Sequence, residues 1–239
     1  MSNVTKKEKH NALAIFTFRY SKILGMEFIF PLAILLMSVV IHEVSHGYAA
    51  LMLGDRTAQY AGRLTLNPIK HLDPFGSVLL PLLLVLLRSP FLFGYAKPVP
   101  YNPHNLSIPR WGPAIVAAAG PLSNITVAFV FGMVVRFLPF VGASAELAPL
   151  SGIATPLSEV ATPIVFMNLL LALFNLIPIP PLDGSGILFA LLPWRYAWVQ
   201  EALTRYGFFI LIIFIFFFFQ VLSGPLFFLC HLFTGSVCF

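Results

Sequence analysis

The chain has 239 residues, of which 59% are hydrophobic and only 10% charged. A soluble domain carries about 25% charged and about 45–50% apolar residues, so the composition excludes a soluble enzyme and indicates an all-α polytopic protein of the lipid bilayer. The net charge of +5 sits mostly in the N-terminal tail and the loops, which suits anionic headgroups and membrane topology; no nucleic-acid partner is expected.

Residues 1–25 read as a basic, amphipathic segment lying at the membrane surface. They are not expected to be a cleavable signal peptide, because Arg19 and Lys22 break the apolar stretch after Lys6, Lys7 and Lys9. Residues 26–239 read as a single integral-membrane domain. Its first span, about Glu27 to Leu53, would be about 40 Å long at 1.5 Å per residue, enough to cross a bilayer with some tilt.

That span contains Ile41-His42-Glu43-Val44-Ser45-His46-Gly47 within a run that otherwise has no Lys, Arg or Asp. An ionisable residue at membrane depth is costly and marks a functional site. His42 and His46 are four apart and share one helix face. Two imidazoles so placed can bind one zinc, with Glu43 as general base toward water.

Residues 55–77 change character. Arg56, Thr57, Gln59, Tyr60, Arg63, Thr65 and Asn67 alternate with apolar residues, which predicts a short strand or hairpin near the site, with Ala61-Gly62 at its turn. Residues 78–95 are apolar but short for a span, and a re-entrant hairpin is expected. Residues 96–111 carry four prolines and must be non-helical. A span at about Gly112 to Phe137 opens with small residues that permit close helix approach, among them Ala117, Ala118, Ala119 and Gly120. A loop over 139–160 precedes a span at about Ala161 to Ile177. An interfacial loop over 193–206 precedes the last span, about Tyr206 to Leu229. Cys230 and Cys238 are too few to form a disulfide framework and receive no role.

A catalytic zinc usually takes three protein ligands. Asp183 is the first candidate for the third. It follows a proline-rich break, Pro178-Ile179-Pro180-Pro181, and precedes Gly184. A carboxylate brought to the membrane edge needs a cationic partner; the plainer reading is a cap for the helix that follows. His71 is the runner-up, as a ligand or substrate contact, although a loop histidine is commonly solvated. Asn124 and Asn175 are neutral amides in apolar spans. They either hydrogen-bond between helices or donate to substrate or a developing oxyanion.

The motif His42-Glu43-Val44-Ser45-His46 on an early span and Asn175-Leu-Ile-Pro-Ile-Pro-Pro-Leu-Asp-Gly184 on a late one resemble the site-2 protease family of intramembrane zinc metalloproteases. Gly62-Arg-Leu-Thr-Leu-Asn-Pro68, Ala96-Lys-Pro-Val-Pro100 and Ala119-Gly-Pro-Leu-Ser-Asn124 resemble its short prokaryotic branch, without PDZ or CBS domains. The resemblance covers about Leu36 to Leu191. Ser45 and Ser185 stand where many members have glycine. The resemblance implies a three-helix catalytic core with additional spans or a re-entrant hairpin. It implies one Zn2+ held by His42, His46 and Asp183, with Glu43 as catalytic base and Asn124 and Asn175 linked to the active site. The implied activity is hydrolysis of peptide bonds in or near transmembrane segments of protein substrates, in a prokaryotic cytoplasmic membrane. The competing classes are an inactive helix-binding scaffold, which has no need of Glu43, and a metal or proton transporter, which spreads ionisable residues over several spans.

Overall fold

The computed structural model describes residues 26–79, 83, 86–87, 97–143 and 151–236. The chain divides into two compact units, residues 1–33 and 34–239; the site lies wholly within the second. The interfacial segment expected over 1–25 lies outside the described residues, as does most of the re-entrant hairpin expected over 78–95.

The described residues form helices and turns without a strand: α1 Met26–Met52, α2 Thr57–Tyr60, α3 Gly112–Ala143, α4 Ser151–Asn175, α5 Asp183–Leu191, α6 Ala197–Phe218 and α7 Ser223–Thr234. Four stretches are long and apolar enough to cross a membrane: Phe30–Met52, Gly112–Pro139, Ala154–Asn175 and Trp194–Phe217. In lipid every backbone polar group must be satisfied internally, and a helix does this within one segment. The protein is thus an all-α, multi-pass membrane protein.

Within the second unit, α3 packs along α4, α5 and α7, and α4 also packs on α7. Ala128, Val165, Leu169, Leu226 and Cys230 form the buried junction of α3, α4 and α7. Ala50, Leu106 and Val116 form a second buried cluster beside the site. On α6, Phe208, Phe209, Ile213, Phe216 and Phe217 are exposed, as suits a helix bathed in acyl chains.

Three expectations are corrected. No strand forms over 55–77; residues 57–60 are helical and 68–71 a 3-10 turn. The backbone there is satisfied by side chains instead of a partner strand. The Arg63 guanidinium donates to the carbonyls of Lys70, Lys97 (2.6 Å) and Pro98 (3.4 Å), and His71 Nε2 donates to the Thr65 carbonyl at 2.8 Å. Second, α4 begins at Ser151, inside the expected loop, where the Ser158 hydroxyl returns to the Thr155 carbonyl at 2.8 Å. Third, the expected interfacial loop over 193–206 is largely helical, since α6 starts at Ala197, and the last apolar run is two helices. A 3-10 turn at Phe219–Leu222 separates them, and Pro225, which cannot continue a helix, falls in the first turn of α7 where it is tolerated.

The junction after α1 is fixed by Asp55, which is fully buried. Its carboxylate accepts from the Thr57 hydroxyl at 2.6 Å, the Thr57 amide at 3.1 Å, the Asn105 side chain at 2.9 Å and the Asn102 amide at 2.7 Å. The Ser107 amide adds a bond to the Leu53 carbonyl at 2.8 Å. Burial alone would raise the Asp55 pKa; these hydrogen bonds outweigh it and hold the group below its ordinary 3.8. The unfolded chain therefore takes up the proton first, so the stabilisation is present above pH 3.8 and is lost as pH falls through the depressed value. Asp55→Asn should lower the melting midpoint in detergent by roughly 5 °C at neutral pH. The gap from the native chain should close in melts below pH 3.8.

Candidate metal centre

α1 carries His42, Glu43 and His46 on consecutive turns. His42 and His46 are buried, with ring centroids 4.7 Å apart and planes at 87°. Asp183 is the first residue of α5. It is brought in by the close seat of Gly184, where a Cβ would come within 2.2 Å of the Leu176 carbonyl oxygen and 2.5 Å of that of Ile177. Any larger residue there would push α5 off the end of α4 and move the carboxylate with it. Asp183 Oδ2 stands 3.0 Å from His42 Nε2 and 3.3 Å from His46 Nε2.

The hydrogen bonds on the far side of each ring fix the protons. His46 Nδ1 lies 2.6 Å from the Val116 carbonyl oxygen, which only accepts, so Nδ1 carries the hydrogen. His42 Nδ1 lies 2.6 Å from Asn124 Oδ1. The Asn124 nitrogen is committed to the Ser38 carbonyl at 3.2 Å and to Asn168 Oδ1 at 2.8 Å, so Oδ1 faces His42 and again Nδ1 is the donor. With Nδ1 the donor on each ring, both Nε2 atoms face Asp183, and in a neutral ring each is a lone pair. Asp183 Oδ2 is itself buried and has no other hydrogen-bond partner. Such a group calls for a positive charge among its members, a proton or a metal ion.

Zinc fits this donor set. It favours imidazole nitrogen and carboxylate oxygen, and tetrahedral ligands at zinc distances stand about 3.3 Å apart. His42, His46 and Asp183 form the group of potential ligands among the described residues. The space between them is left open by Gly120 of α3, where a Cβ would lie 2.4 Å from His46 Nε2 and 2.6 Å from His42 Nε2.

Glu43 stands beside this group without joining it. One of its oxygens, Oε2, accepts from the Val99 amide at 2.9 Å, so the proline-rich stretch Lys97 to Pro100 holds it in place. His71 is fully buried and lies outside the ligand group. Its carbonyl accepts from the Lys97 amide at 2.9 Å, which helps to hold the stretch that meets Glu43. Asn175 donates to the Leu171 carbonyl of its own helix at 2.9 Å, whereas Asn124 reaches a histidine. Asn168 of α4 is an amide that was not among the residues expected at the site. It is fully buried and links Asn124 to the Ser38 hydroxyl, to which it donates at 2.9 Å. The signal that could have found it is the one used for Asn124 and Asn175, a neutral amide in an apolar span.

Comparison with known proteins meets this geometry. The sequence profile of Peptidase family M50 matches residues 30–217. A Bacillus subtilis protein named "Putative zinc metalloprotease YwhC" is 38% identical over 179 residues, 75% of this chain and 76% of that protein. A Mycolicibacterium smegmatis protein named "Putative zinc metalloprotease Rip2" is 32% identical over 190 residues, 78% of this chain and 66% of that protein. A Mycobacterium tuberculosis protein of the same name is 31% identical over 161 residues, 67% of this chain and 56% of that protein. No solved structure matches significantly.

Two variants test the centre through metal content alone. Gly120→Ala places a methyl group between the two Nε2 atoms and should abolish stoichiometric zinc binding, as read by metal analysis, with helix content by circular dichroism unchanged. Asn124→Ala releases the outer nitrogen of His42 and should weaken zinc affinity about 10–100-fold in chelator competition. With the family profile over most of its length and a zinc-fitting donor set on two of its helices, the chain belongs to Peptidase family M50, the site-2 proteases, and is a zinc metalloprotease.

Proposed function

We infer that this metalloprotease cleaves peptide bonds in or near transmembrane segments of other membrane proteins, in a prokaryotic cytoplasmic membrane. The observation that carries the reading is the position of the ligand group. His42 and His46 lie well inside the apolar stretch Phe30–Met52, so a peptide reaching them must itself enter the bilayer or its edge.

In this reading His42, His46 and Asp183 hold the metal. Bound zinc supplies a Lewis acid that polarises the scissile carbonyl and acidifies water. The Val99 amide fixes one oxygen of Glu43 and leaves the other to move protons. Glu43 takes a proton from the attacking water as the oxygen adds to the peptide carbon. It then delivers that proton to the nitrogen as the C–N bond breaks. Asn124 and Val116 keep the hydrogens of both imidazoles on the outer nitrogens throughout. A substrate helix hides its peptide bonds in its own hydrogen bonds, so it must unwind locally to present one in this site.

Glu43→Gln keeps the shape and the hydrogen bond to Val99 but cannot take a proton. Purified Glu43→Gln should retain full zinc and lose about 10²–10⁴-fold in cleavage of a transmembrane model substrate. A chelator should abolish cleavage by the unaltered chain, and zinc should restore it. An inactive scaffold or a transporter would give no cleavage in any arm, and zinc loss in the variant would remove Glu43 from the role of base.

A further inference from the structure

A cavity of about 570 Å3 lies beside the arm that carries Asp183, between the stretch before α3, the end of α5 and the start of α6. Its polar lining is Tyr101, Arg110, Trp194, Tyr196 and Gln200, and Phe189 and Leu192 form part of its apolar wall. Its lining contains one cation and no carboxylate. The Arg110 guanidinium lies 5.5 Å from the centre of the Trp111 ring, and among the described residues no carboxylate is within ion-pair distance of it. Arg195, next along the chain from Trp194, stacks likewise on Tyr196 at 5.9 Å.

The depth of the cavity in the membrane follows from the helices that frame it. Two membrane spans begin at its rim, one at Gly112 and one at Trp194, and both enter the bilayer from this end. The exposed Trp111, Trp194, Tyr196 and Trp198 around it are the residues that favour the headgroup level. A cationic, donor-rich pocket with an apolar wall at that level matches a phosphate ester that carries acyl chains. Arginine binds phosphate bidentately, and the indole and carboxamide supply neutral donors. A zwitterionic lipid would bring an ammonium close to the Arg110 cation, and the lining offers it aromatic faces but no carboxylate.

We propose that this cavity binds the headgroup of an anionic phospholipid, with Arg110 on the phosphate, Tyr101, Trp194 and Gln200 as further donors, and Phe189 and Leu192 against the upper acyl chain. The site touches both arms of the metal centre. Gly186, which also lines it, is three residues after Asp183 on α5. Tyr101 is two residues after Val99, whose amide holds Glu43.

The test uses binding, without any proteolysis, so its failure is distinct from failure of the protease reading. Delipidated, zinc-loaded protein is titrated with short-chain phosphatidylglycerol and followed by native mass spectrometry and tryptophan fluorescence. The expected result is saturable binding of one lipid per chain that Arg110→Gln weakens roughly tenfold, with Arg110→Lys between the two. Trp194→Leu, at a side chain 94% exposed and free of core packing, should weaken it in the same direction should Arg110→Gln fail to fold. Unchanged binding in folded Arg110→Gln overturns the proposal, as does equal binding of phosphatidylcholine. Full displacement by inorganic phosphate alone would assign the site to a soluble phosphate, and displacement by a transmembrane substrate peptide would make it a peptide subsite; either result overturns the lipid assignment.

Discussion

Three potential ligand atoms meet at one buried point: the Nε2 atoms of His42 and His46 and the Oδ2 of Asp183, the carboxylate oxygen being 3.0 and 3.3 Å from the two nitrogens. A carboxylate there needs a positive charge beside it, a proton on an imidazole or a metal ion. The surrounding structure follows from keeping that point open. Gly120 withholds a side chain from it, and Gly184 lets the aspartate reach it across the end of α4. The Val116 carbonyl and the Asn124 side-chain oxygen hold a hydrogen on each outer ring nitrogen, so both Nε2 atoms are turned toward Asp183.

The same bonds that orient the ligands also join the helices. In lipid there is no hydrophobic gain from bringing apolar helices together, so close packing at small residues and hydrogen bonds between helices must do it. Ser38 on α1, Asn124 on α3 and Asn168 on α4 form one buried chain of amide and hydroxyl contacts that ends on His42. Each such bond contributes about 0.6–2 kcal/mol in a membrane. Their sum is comparable to the margin by which a helical membrane domain holds together. Helix association and ligand orientation are therefore not separable here, and a change that loosens one loosens the other.

The parts legible in the sequence are those that local geometry dictates. The spacing of His42 and His46 sets a shared helix face, and the prolines before Asp183 set a break that a carboxylate can occupy. The small residues ahead of Asn124 set a close helix approach, which Gly120 makes. The hidden parts are contacts between distant segments. α3 and α4 are apolar around most of their circumference, so no clear periodicity marks the face of Asn168 that meets Asn124. Arg63 and its neighbours alternate like a strand, yet alternation reports only that one side is buried. Here the buried side is a guanidinium collecting carbonyls from residues 70, 97 and 98, which removes those carbonyls from any ladder. The break at Phe219 was obscured by an unbroken run of phenylalanines, because composition in lipid constrains helix ends far less than it does in water.

Glu43 depends on that loop geometry. His42 and His46 are held by bonds from α3. Glu43 is held by an amide in a proline-rich stretch whose own carbonyls are gathered by Arg63 and whose continuation is tied to Asp55 at Asn102 and Asn105. Prolines at 98 and 100 flank Val99 and remove competing donors, so the Val99 amide is the donor this segment can offer at that place. α1 is in this way fixed by two unrelated sets of bonds.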